Sequence, residues 1–110
     1  MRWLILQQLK SKNAESRRQA LEKLASADDP DLFDLALAAS GDADAMVRKL
    51  AVESMGKAYA SHPTDPFVRA LKDSREEVRL AAADVLLRIR RPETVDVLAD
   101  ALRDSNSAVR

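Results

Sequence analysis

A Val-Arg pair returns at a fixed interval in this chain. Val47-Arg48, Val78-Arg79 and Val109-Arg110 are spaced by 31 residues each time, and one further step back from Arg48 lands on Arg17. Other columns keep this register without a gap. Asp42, Asp73 and Asp104 share one, with Ser11 as the departure; Ala20, Ala51 and Ala82 share another. Leu24, Met55 and Leu86 form a third, and Glu22, Glu53 and Asp84 a fourth. Agreement across so many columns marks a repeat protein, in which no unit buries its apolar face alone and stacked neighbours build one continuous core.

Each unit reads as two helices, a short helix A and a longer helix B with Val-Arg in its opening turn. In the segment 73–89, Val78, Ala81, Ala82, Val85, Leu86 and Ile89 follow the i, i+3, i+4, i+7, i+8, i+11 spacing of one apolar helical stripe. Helix A is too short to be stable by itself in water. Scarce Gly, four Pro and apolar content dominated by Ala and Leu agree with an all-α chain.

In order along the chain, helix A of the first unit spans 2–10, and Asn13 caps a helix B running to about Ala27. Ser16, Gln19 and Lys23 stand where later units carry apolar residues, which suits a terminal unit with one side facing water. Pro30 is expected in the first turn of the second helix A, with Asp29 before it as cap and the helix ending near Ala39. Gly41 suits a left-handed C-terminal position, and Asp44 caps a helix B reaching about Ser61. Gly56 lies inside that helix, where close packing is the reason for tolerating it. His62 reads as a loop residue before the third pair, 66–72 and 75–90. A fourth helix A spans 93–103 with Val95, Leu98 and Leu102 inward, and the last helix B breaks off at Arg110. The expectation is a single domain over 1–110, with units at about 1–27, 28–61, 62–90 and an incomplete 91–110. Leu98, Leu102 and Val109 then lack cover. This points either to a segment of a longer solenoid or to self-association through the C-terminal end.

Several function classes lack support. Lys and Arg number 18 against 18 Asp and Glu, so no net charge draws the chain to nucleic acid or anionic membrane, though a local patch is compatible. There is no Cys, hence no thiolate chemistry. The apolar run Trp3 to Leu6 is too short for a signal peptide, no segment suffices to span a bilayer, and a cytoplasmic location is the default. His62 is the only histidine and has no Glu partner nearby. Asp42 and Asp44 open like a calcium loop, but Met46 sits where the third ligand belongs and no Glu closes it. No catalytic residue, cofactor site or metal site is expected.

The units resemble HEAT-like repeats, in the short form of the phycobilin-lyase-type proteins. The resemblance is carried by PTDPFVRALKD at 63–73, SREEVRLAAADVLLRI at 74–89 and GDADAMVRKLAVESMGKA at 41–58. It implies a right-handed α-α solenoid of about three and a half repeats. It also implies a structural ladder in which the inter-helix Asp caps backbone amides and meets the Arg of a neighbouring helix B. The rungs would join Asp42, Asp73 and Asp104 with Arg17, Arg48 and Arg79. The paired His-Glu motifs of the HEAT-like deoxyhypusine hydroxylases are missing.

In stacked helical pairs the B helices line the concave face. The columns turned away from the core read Glu15, Met46, Glu77; Arg18, Lys49, Leu80; Glu22, Glu53, Asp84; and Ser26, Lys57, Arg88. An acidic ridge is flanked by mostly basic residues, and Met46 and Leu80 are apolar where no core requires them. Apolar residues beside charge suit a protein interface. The expected partner is therefore another protein, held by Arg18, Glu22, Met46, Lys49, Glu53, Lys57, Leu80, Asp84 and Arg88. The plainer reading is a solvated face with pairs such as Arg18–Glu22 and Lys49–Glu53. The alternative is nucleic-acid backbone binding, as in HEAT-like DNA glycosylases, through Arg88, Arg90, Arg91, Lys10, Lys12, Arg17 and Arg18. Glu22, Glu53 and Asp84 in mid-surface would repel phosphate.

Overall fold

The computed structural model describes residues 1–59 and 62–100 in full and 101–102 as backbone. Among these it has seven α-helices: α1 (Arg2–Gln8), α2 (Ala14–Ser26), α3 (Leu32–Ala39), α4 (Ala45–Lys57), α5 (Asp65–Ala70), α6 (Glu76–Ile89) and α7 (Val95–Leu102), with a 3₁₀ turn at Pro92–Thr94 before the last. Short A helices (α1, α3, α5, α7) alternate with longer B helices (α2, α4, α6). The B helices stack in sequence, α2 on α4 on α6, while α3 and α5 pack on the B helix that follows them. The result is an elongated α-solenoid of 44 × 27 × 17 Å.

The repeat columns account for the core. Ala20, Ala51 and Ala82 are wholly buried, so each unit places a small side chain at the same point of the packed interior. Leu24, Met55 and Leu86 are buried in the next column, and Val47 and Val78 in the Val column, where Ser16 of the first unit is half-exposed. Of the stripe on α6, five residues are buried and Ile89 is half-buried.

Helix starts follow local chemistry. The Asn13 side chain accepts amide bonds from Glu15 at 2.8 Å and Ser16 at 3.3 Å, and Asp44 accepts one from Val47 at 3.0 Å. The second A helix differs from expectation. Pro30 sits in a turn ahead of α3, which begins at Leu32, and Asp29 does not cap it. Its Oδ1 instead accepts the Asp31 amide at 2.9 Å, closing an Asx turn, while its carboxylate faces Arg2.

Helix ends differ too. Gly41 is not left-handed; among the described residues those with positive φ are Asp28 (51°) and Arg90 (55°). They share one repeat column, directly after α2 and α6. At α2 the amides of Asp28 and Asp29 reach back to the Ala25 and Leu24 carbonyls, which makes a Schellman closure. The stop is set by where the chain must turn back into helix A, and Asp and Arg accept the strain there.

Gly56 is half-buried on α4 and faces α6. A Cβ added to it would lie 2.7 Å from Cγ2 of Val85, so the glycine permits the close approach of these helices. Val95 is 60% exposed, contrary to the inward position expected of it. Leu98 packs on the core as expected, and Val97 joins it there in place of Val95. The Leu102 side chain, Asp104 and Val109 lie outside the described residues.

Candidate functional site

Two arrangements define the surface of the stack. The first is a repeated Arg–Asp rung. Arg17 of α2 donates to Asp42 at 2.8 Å and 2.9 Å from Nε and Nη2. Arg48 of α4 does the same to Asp73 at 2.8 Å and 3.1 Å. Each fork spans 25 residues and joins a B helix to the inter-helix turn of the next unit. Each Arg also donates Nη1 to a carbonyl six residues back: Arg17 to Ser11, Arg48 to Asp42 and Arg79 to Asp73. Each Asp in turn accepts the amide two residues ahead, Asp44 for Asp42 and Arg75 for Asp73. Ser11 keeps that turn through its hydroxyl, which accepts the Asn13 amide at 3.1 Å, but offers no carboxylate.

The forks are mostly shielded from water, which makes them stronger than surface pairs. Burial pushes the Asp42 and Asp73 carboxyls up. The Arg17 and Arg48 hydrogen bonds, followed by the turn amides, outweigh it and hold both below the usual carboxylate range. Asp29 is held low mainly by its hydrogen bond from Arg2. With every acceptor engaged in the fold, these carboxylates have no geometry for acid–base work. The Arg79 Nε is buried without a partner; the rung's expected carboxylate, Asp104, lies outside the described residues.

The second arrangement is the outer face of α2, α4 and α6. Met46 is 38% exposed and Leu80 41%. Glu22, Glu53, Lys57, Asp84 and Arg88 are exposed, and Arg18 and Lys49 half-exposed. The pairs on this face differ from those expected. Arg18 pairs with Glu15 one turn back, and the observed i, i+4 pair is Arg88–Asp84 at 3.1 Å. Lys57 reaches back across the stack to the Ala25 carbonyl and to Asp28. Arg91 donates to the Tyr59 hydroxyl at 2.7 Å and lies over its ring, tying the ends of α4 and α6. Lys57 and Arg91 are thus engaged between units.

His62 is not a bare loop residue. Its ring stacks on Phe33 with centroids 3.8 Å apart and planes 4° apart. On the side of α1 and α2 turned away from the rest of the stack, Gln8 accepts from Lys23 at 3.2 Å and donates to Gln19 at 3.3 Å, while Leu4, one turn before Gln8, is exposed. Among the described residues there is no cluster of metal-ligating side chains and no helix long and apolar enough to cross a membrane.

A family model described as HEAT repeats matches the chain over residues 4–66 and again over 64–110. No curated protein matches it.

Proposed function

The chain belongs to the HEAT-repeat family, and from that premise we propose that it is a non-catalytic scaffold module that holds a protein partner on the concave face of its B helices. One observation carries this reading. Met46 and Leu80 are exposed side by side with charged residues, on a face whose burial needs are met elsewhere. Apolar contact area ringed by charge supports affinity at the centre and specificity at the rim. Asp84 and Arg88 satisfy each other in the free protein and are positioned to exchange that pair for partner contacts. A cytoplasmic location fits this role.

Site-specific photocrosslinking tests it. A benzophenone amino acid replaces Leu80 or, on the opposite helix layer, Asp65. Protein adducts from position 80 that vanish with Glu53→Lys and Asp84→Lys support the concave face. Adducts from position 65 alone would overturn it. Salt-sensitive nucleic-acid adducts would establish the alternative reading.

A second copy is a further candidate partner. Leu87 is 54% exposed and stands one period after Gly56, which faces Val85 of the following unit. Light scattering across a concentration series should show a dimer that Leu87→Glu abolishes; a strict monomer at high concentration sinks that idea.

A further inference from the structure

Between α1 and α3 the stack opens into a cleft of about 440 Å³, walled by Leu6 and Leu9 on one side and Leu35 and Ala38 on the other. That volume lies within the range of about 300–1,000 Å³ typical of ligand pockets. Ala38 stands in the column that Arg69 fills in the next unit, so α3 offers a methyl group where α5 offers a long side chain.

The polar floor, Arg17 on Asp42, is already satisfied and asks nothing of a ligand. Lys10 on the rim is exposed and forms no ion pair among the described residues. Trp3 lies one turn before Leu6 on the same face of α1, and Lys10 sits in the turn two residues past the end of that helix. Trp3 is 66% exposed, in a column where the other A helices carry Asp34, Asp65 and Asp96. The fold has no use for an indole there. An exposed Trp one turn before a residue that lines an apolar cleft, Leu6, suits an interface hot spot.

We propose that this cleft docks a short acidic protein segment. A bulky apolar side chain enters between α1 and α3, a carboxylate meets Lys10, and the neighbouring residues lie against Trp3. Charge complementarity selects an acidic occupant at the Lys10 end. Length selects a peptide over a small acid. Trp3 near the start of α1 and Lys10 in the turn that follows it are seven residues apart, about 10 Å at helical rise, roughly three residues of extended chain. This surface lies on the A-helix side and is independent of the concave face.

A library of displayed random heptapeptides, selected against the full chain, tests the proposal. Clones should converge on an acidic residue two or three positions from a bulky apolar one. Trp3 is the only tryptophan, so its fluorescence reads binding of the synthetic consensus peptide without a label. Ala38→Arg, which borrows the next unit's residue at an exposed position, should weaken that peptide at least tenfold while leaving the circular dichroism melt in place. Replacing the peptide's acid by its amide should weaken it about threefold to fivefold. Clones indifferent to Ala38→Arg would overturn the proposal, and so would clones lost on Leu80→Glu, which would assign them to the concave face. A lack of any acidic–apolar consensus, or phenylpropionate binding as tightly as the peptide, would also overturn it.

Discussion

Gly56 on α4 lies so close to Val85 on α6 that a Cβ at position 56 would sit 2.7 Å from the Val85 Cγ2. Replacing Gly by Ala inside a helix ordinarily stabilises by up to about 1 kcal/mol. Here the neighbour is a buried β-branched side chain that cannot rotate away. Gly56→Ala should therefore destabilise, by about 1–3 kcal/mol. Urea midpoints for Gly56→Ala, Val85→Ala and the double variant check this. The double variant should be more stable than the two single losses add up to.

The Arg48–Asp73 fork makes a second prediction. Asp73→Ala leaves a shielded guanidinium facing no carboxylate, and should cost about 2 kcal/mol or roughly 8–16 °C in melting temperature. Arg48→Met in the same chain should restore part of the loss, because the stranded charge is then gone. Thermal melts of the two single variants and the pair give the coupling directly.

Asp29, Asp42 and Asp73 are all held below the usual carboxylate range when folded. The unfolded chain binds those protons more tightly, so acid favours unfolding. Their contribution is complete above the ordinary carboxylate pKa of about 4 and is lost as pH falls through the folded values. The urea midpoint should be flat between about pH 7 and 5 and fall steeply below about pH 4. Asp42→Asn with Asp73→Asn should be less stable at neutral pH, with a shallower fall in acid.

The stack of His62 on Phe33 predicts that His62→Ala destabilises by about 0.5–1.5 kcal/mol. Ring-current shifts on the His62 carbon-bound protons should be present in the folded protein and absent in Phe33→Leu.

Much of the fold was legible because the repeat states each position several times. The buried Ala column, the caps Asn13 and Asp44, and the reason for Gly56 follow from columns and local chemistry. The misreadings fall where a residue acts outside its column. Gly41 was the obvious left-handed residue, yet the turns that need that conformation come after α2 and α6, at Asp28 and Arg90. Asp29 stands where a cap belongs, but its carboxylate is drawn to an Arg 27 residues away. The His62–Phe33 stack occupies the two columns that the Arg2–Asp31 ion pair occupies one unit earlier, and because the residue types change from charged to aromatic, matching columns by residue type is blind to it. The cleft walled by Leu6 and Leu35 depends on how far α1 stands from α3, which no pattern encodes.

The Arg–Asp rungs constrain how such a chain can grow. Each guanidinium reaches 25 residues forward to a carboxylate and six back to a carbonyl, and the two reaches together span one period. Excising residues 43–73 as a block would leave Asp42 paired with Arg17, and six residues ahead of Arg79 just as it now precedes Arg48. A cut of less than a whole unit inside a fork's 25-residue reach would change that reach. The ladder thus acts as a ratchet on gene duplication, letting length drift in whole units and selecting against everything between.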